Sequence, residues 1–202
     1  MEKCKPAPDT PISMDDAIRY RDGLMIALAA FIPIRRKNLA ALEIGLHLVR
    51  EGDGWSVVVS GKETKTGKSL DYPVPELLEP YLATYLTVVR PQMRPQPTCA
   101  ALWLNSKGGA LAYAAIGDIF SQHSTSRLGF RVAPHDARDA AGTFWAIFAP
   151  DQIGVARDLL AHSDLRTTIK YYNRARGIEA SRYQNNRSAG FGSACHSLAS
   201  LV

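Results

Sequence analysis

One β-type block interrupts a chain whose remaining periodicity is helical, and that block limits the fold. "LHLVRE" (46–51) and "WSVVVS" (55–60) are joined by "GDG", a strong turn signal. "GKETKTGK" (61–68) follows, polar and lysine-rich, and then "SLDYPVP" (69–75). The pattern predicts a three-stranded antiparallel meander over about residues 43 to 75. So small a sheet is stable only with helices packed on one face. The fold class expected is therefore α+β and predominantly helical, with helices packed around a small three-stranded antiparallel sheet.

The flanking segments supply those helices. Ser13 is placed to cap a helix through "MDDAIRYRDGLMIALAAF", whose first turn is acidic as the helix dipole prefers. Pro33 interrupts it, and "RRKNLAALEIG" reads as a short helix ending near Gly45. Helical spacing returns from Pro75 to Arg90 despite Pro80, and "PQMRPQPT" reads as a proline-rich loop. "ALWLN" is short and apolar, and "SKGG" turns the chain. Further helices are expected over 111–129, from Pro134, after Pro150 with Asp151 as cap, and through "LRTTIKYYNRA" with Ser163 or Asp164 as cap. Residues 1–12 read as a loose leader, 13–176 as one domain, and 177–202 as a Ser/Gly-rich tail, flexible or exchanged.

Composition narrows the function. The 202 residues are 46% hydrophobic, which fits a globular core. No apolar run approaches the ~20 residues of a membrane span. The N-terminus lacks the basic-then-apolar order of a signal peptide, so a cytoplasmic location is expected. The formal charge of +5 favours a polyanionic partner. Cys4, Cys99 and Cys195 are far apart and odd in number, which argues against a disulfide framework or a zinc site. The histidines never fall at metal-ligand spacing, and no glycine-rich nucleotide loop is present, so neither metal nor cofactor is expected.

One set of residues carries the chemistry. "IPIRRKNLAAL" supplies Arg35, the hairpin "KETKTGK" supplies Lys65, and "PHDAR" supplies His135 and Arg138. "LLAHSDL" supplies His162, and "TTIKYY" supplies Tyr171, nine residues beyond it. In this order and context the chain resembles the catalytic domain of the tyrosine recombinases, or phage-type integrases, over roughly Asp15 to Arg176. The family pattern is an Arg after a helix break, a hairpin Lys, an HxxR helix start, a GHS-type His and a Tyr nine residues on. Three positions depart from it. Pro33 stands where the family has Gly, Asn38 where it has an acid three after the Arg, and Ala161 where Gly precedes the His. Arg36 is adjacent to Arg35; "NLAAL" aligned with the family's apolar helix selects Arg35.

The residue types suit attack on a phosphodiester. Two guanidiniums can each fork onto its non-bridging oxygens, and preorganised charge of this kind is usually the largest catalytic term. His162 adds a donor, and the start of the HxxR helix favours an anion. The resemblance implies Tyr171 as nucleophile, forming a 3′-phosphotyrosyl bond and freeing a 5′-hydroxyl. It implies Lys65 as the group that protonates the leaving 5′-oxygen and His135 as an assistant in proton transfer. The covalent link conserves the bond energy, so no metal or ATP is required. His162 and Tyr171 fall on opposite sides of any single straight helix, so a break at Ser163-Asp164 is expected between them.

Taken singly, each residue has an ordinary explanation: a solvated helix-end Arg35, a soluble turn at Lys65, a cap at His135. Arg138 could pair with Asp136 or Asp139, His162 could satisfy a helix C-terminus, and Tyr171 could be a half-buried aromatic. The resemblance implies double-stranded DNA as partner and a tetramer on DNA in the full-length family, with a monomer expected for the isolated domain. The chain starts close to the catalytic pattern, so a fragment or truncated homologue is expected. The alternatives are a type IB topoisomerase-like relaxation enzyme, a catalytically idle DNA-binding module, and a helical domain with no role on DNA.

Overall fold

The structure is a computed structural model. It describes residues 11–160, 166, 168–174, 176–178 and 181. Helix α1 spans Met14–Phe31, and the Ser13 hydroxyl accepts the Asp16 N–H at 3.1 Å. That contact satisfies one of the donors a helix start leaves open. One side of α1 is buried through Leu24, Met25, Leu28 and Ala29. After Pro33 comes α2, Arg36–Ala40.

Here the structure corrects the expected helix to Gly45. Residues 42–44 are extended and meet 100–102: Ile44 N–H donates to Ala100 and Leu102 N–H to Leu42, at 2.9 and 2.7 Å. The distant "ALW" segment offers these backbone groups partners that a continued helix would have to forgo. The meander itself is as expected, in the order β1-β2-β3. The strands are β1 (Leu48–Glu51), β2 (Gly54–Val59) and β3 (Leu70–Pro73). The tight β1–β2 turn places Gly52 at φ +57, a region open to glycine. Leu48 pairs with Val57 and Val57 with Tyr72, so the three buried side chains share the inner face.

The helix expected from Pro75 starts instead at Glu79, as α3 (Glu79–Thr84). Pro80 favours this: its missing N–H is tolerated most readily in a first turn. The helix then widens into a π-type turn at Tyr85–Val89, where Arg90 N–H reaches back to Tyr85, and closes with Arg90–Gln92. Pro91, expected in a loop, is thereby held inside a helix; the widened turn precedes the site of its missing donor. Helix α4 is Tyr113–Leu128, ended by Gly129 at φ +76. Helix α5 is Pro134–Phe148 and α6 is Ile153–Leu159, with Gln152 rather than Asp151 at its cap position. Residues 166, 168–174, 176–178 and 181 are helical. Ser163 and Asp164, the expected caps, lie outside the described residues, as does most of the tail.

The chain divides into two compact units between Ala141 and Gly142. Trp103 is the largest fully buried side chain of the first unit. Its indole N–H donates to the Leu39 carbonyl at 3.0 Å, and its ring lies 5.7 Å from that of Tyr85. Tyr85 in turn donates to the Leu102 carbonyl at 2.8 Å, and burial pushes its phenol up to about 12. Trp103→Ala is expected to cost about 3–5 kcal/mol in urea unfolding, since it removes a large core volume and a buried bond. Trp103→Phe, which keeps an aromatic but smaller side chain and loses the N–H donor, is expected to cost roughly 1–3 kcal/mol, part of it through the stranded Leu39 carbonyl. In the second unit Ala146, Ala156, Leu160 and Thr168 are buried.

Candidate active site

Pro33 ends α1, and Ile34 bends back on Ile32 through a 2.6 Å backbone bond. Arg35 is therefore still in extended backbone, φ −71 and ψ 145, at the cap position of α2. Its carbonyl accepts the first helical bond, from Leu39, and its side chain makes no capping bond. Arg35 Nη1 is buried and has no hydrogen-bond partner. One turn on, Asn38 is 6% exposed and its Nδ2 also lacks a partner. Orphaned buried donors are costly and rare, so a pair on one helix start calls for an acceptor.

Arg36, the neighbour, is engaged elsewhere. Its guanidinium lies 3.9 Å from the centre of the Tyr113 ring, a cation–π contact. It also runs beside Gly117, where a Cβ would come within 2.8 Å of Arg36 Nη1. The two adjacent arginines thus have different surroundings: Arg36 lies over the Tyr113 ring, whereas Arg35, like the other candidate arginine, acts on Tyr72.

That second arginine, Arg138, is on α5 and only 4% exposed. Its Nη1 donates to the Pro33 carbonyl, which ties it to the segment carrying Arg35. Both guanidiniums act on Tyr72, a residue that sequence reasoning missed. Tyr72 is 7% exposed; burial pushes its phenol above the ordinary 10.0, while Arg138 and then Arg35 pull it down. The only sequence signal for Tyr72 was its register on the inner face of β3.

Asp136, one of the carboxylates near Arg138 in sequence, accepts the Ala133 N–H at 2.7 Å and so completes the start of α5. His135 does not share the buried setting of Arg138. Its side chain is 76% exposed, and Nε2 is 3.5 Å from Asp139. A contact so exposed contributes little.

Lys65 is exposed on the turn between β2 and β3. Next to it, Thr66 Oγ1 is buried without a partner. The turn is closed tightly. Thr64 Oγ1 donates to Lys68 O at 2.8 Å, Gly61 N–H donates to Ser69 Oγ at 3.2 Å, and Gly67 sits at φ +70. A Cβ on Gly61 would lie 2.4 Å from the Gly67 carbonyl, so the two arms of the turn touch there.

Tyr171 belongs to the second unit. It is half-buried in the C-terminal helical segment, with its ring against Gly142; a Cβ there would meet Tyr171 Cγ and Cδ2 at 3.0 Å. Tyr172 differs. Its hydroxyl donates to the Ala149 carbonyl at 3.3 Å, and burial, then the charge of Asp151, raises its pKa. His162 lies outside the described residues. Among the described residues no helix is long and apolar enough to cross a membrane.

No protein-family model matches the sequence. Curated relatives do. Tyrosine recombinase XerD of Staphylococcus epidermidis is 32% identical over 153 residues, covering 75% of this chain and 50% of XerD. Tyrosine recombinase XerD of Staphylococcus aureus is 29% identical over 154 residues, with the same two shares. The chain thus spans about half the length of the curated relatives it matches. Among solved structures, XerH site-specific recombinase bound to palindromic difH substrate, a post-cleavage complex, aligns with a TM-score of 0.67 at 21% identity. That match covers 84% of this chain and 47% of XerH. XerA recombinase aligns with a TM-score of 0.63 at 16% identity, over 88% of this chain and 64% of XerA. At these identities the shared property is the fold: helices around a small three-stranded antiparallel sheet.

Proposed function

This chain belongs to the tyrosine recombinase family, and on that premise we propose that it is the catalytic domain of a site-specific recombinase or integrase. Its partner is double-stranded DNA, which it cleaves and rejoins through a 3′-phosphotyrosyl intermediate. The observation that carries the reading is the buried, unpartnered Nη1 of Arg35 on the segment that Arg138 grips. A DNA phosphodiester supplies the acceptor this donor lacks, and it brings the charge that two neighbouring guanidiniums favour.

In this mechanism Arg35 and Arg138 hold the non-bridging oxygens and stabilise the charge that builds on them in the transition state. The Tyr171 phenolic oxygen attacks phosphorus, with His162 as a further donor. The bond from phosphorus to the 5′-oxygen breaks, and Lys65 protonates the departing oxygen. His135 assists removal of the phenolic proton. Reversal by a 5′-hydroxyl from another strand rejoins the DNA, with no net change in bond count. In the full-length family context the working assembly is a tetramer on DNA; the isolated domain is a monomer.

Covalent capture tests this. The protein is incubated with a random-sequence duplex library, denatured, and the protein-bound strands are sequenced. Strands attached by their 3′ ends and enriched for one site support the reading; strands bound without covalent attachment under every condition overturn it. Supercoil relaxation at any sequence, without strand exchange, would favour a topoisomerase instead. Reversible binding by this domain is expected to be weak and to fall steeply with salt, log K dropping by about 0.9 for each phosphate contacted per decade of salt. Titration by fluorescence anisotropy at several salt concentrations checks this, and tight binding insensitive to salt would contradict it.

A further inference from the structure

The turn that carries Lys65 is held from below by a histidine outside the strand-transfer chemistry. His47 precedes β1 and is only 5% exposed. Its carbonyl accepts the Val58 N–H at 2.7 Å, which fixes its backbone to β2. Its Nδ1 accepts the Glu43 N–H at 3.1 Å. A ring nitrogen that accepts carries no proton, so in the neutral ring the proton is on Nε2. Nε2 then donates to Glu63 Oε1 at 3.0 Å. The other carboxylate oxygen, Oε2, accepts the Ser60 N–H at 3.2 Å. Glu63 thus bridges the buried ring to the end of β2, two residues before Lys65. The hydrogen bond from His47 is the main reason its carboxyl stays ionised below the ordinary 4.5.

Glu63 is 45% exposed, so this pair adds little to global stability. What it fixes is direction. With both carboxylate oxygens bonded and the turn closed above by Thr64 and Gly61, the backbone at Lys65 has one course. A flexible four-carbon side chain carries rotamer freedom of its own, so a fixed base narrows where its ammonium can reach. We propose that His47 and Glu63 are positioning residues for Lys65, holding its turn so that the ammonium meets the leaving 5′-oxygen. The proposal rests on the recombinase reading, in which Lys65 is the proton donor.

The test uses the duplex site recovered by covalent capture, made once with the ordinary 5′-oxygen and once with sulfur at that bridging position. A thiolate leaves without needing a proton, so only the oxygen substrate depends on Lys65. Lys65→Ala serves as the reference. Glu63→Ala and His47→Leu are expected to slow adduct formation about 10- to 100-fold on the oxygen substrate, and by no more than about threefold on the sulfur substrate. His47→Gln, which keeps a donor for Glu63, is expected to recover part of the rate. Glu63→Ala alters a surface side chain, so it tests the role even if His47→Leu fails to fold. Equal losses on both substrates, or no loss on either, overturn the positioning role while leaving the recombinase reading intact. Wild-type protein that forms no adduct with either substrate overturns the recombinase reading, and the positioning role with it.

Discussion

Tyr171→Phe is expected to abolish covalent capture of DNA, by at least about 10⁴-fold, while reversible binding to the same duplex should change by less than about twofold. The substitution removes one oxygen and keeps the ring, so the contact with Gly142 survives. Loss of the adduct with retained binding assigns the nucleophile by chemistry rather than by packing. Tyr172→Phe is the matched control. Its hydroxyl is bonded to the Ala149 carbonyl and its pKa is raised by burial and Asp151, so it is poorly placed to ionise. Adduct formation should survive that change. If Tyr171→Phe left the protein's behaviour on DNA unaltered, the idle DNA-binding module would be the better reading. Denaturing gels of end-labelled duplex report both results.

The second large effect is at Arg138. Arg138→Ala is expected to lower the rate of adduct formation by about 10²–10³-fold, the usual loss when one preorganised donor to a developing oxyanion is removed. Arg138→Lys should recover little. The native guanidinium is a planar fork, one of whose nitrogens donates to the Pro33 carbonyl, and a lysine ammonium cannot reproduce that geometry. Single-turnover kinetics at saturating protein separate this loss from any change in binding. Recovery to within about threefold by Lys would mean that charge alone suffices and that the bidentate geometry is unimportant.

Local chemistry was legible in the sequence. Ser13 caps α1, Gly52 turns the hairpin, and the alternating "WSVVVS" and "SLDYPVP" runs pair as a meander. Each depends on neighbours a few residues away. Long-range competition was not legible. Residues 42–44 left their helix because 100–102, far along the chain, offered backbone partners. Pro91 entered a helix because the turn before it could widen. The "NLAAL" alignment selected Arg35 over Arg36 in sequence, but the Tyr113 ring that engages Arg36 is visible only in three dimensions. Tyr72 and His47 carry no motif at all. The first is known from the two charges beside it, the second from the tautomer its partners impose. Order and context nominated the arginines and Lys65 as candidates in sequence, whereas the donors that lack partners, Arg35 Nη1 and Asn38 Nδ2, exist only in three dimensions.

If Tyr171 is the nucleophile, Gly142 should set stability against activity at a single position. A glycine inside a helix such as α5 weakens it by about 1 kcal/mol relative to alanine. Anyone seeking a hardier protein would replace it first. Yet the absent methyl is what gives the Tyr171 ring its seat, since a Cβ would come within 3.0 Å of two ring carbons. Gly142→Ala should therefore strengthen the helix while unseating the ring, and adduct formation should fall although the helix itself is favoured. Thermal unfolding and capture kinetics on that one variant would measure how much sturdiness this chain forgoes to keep its tyrosine in place.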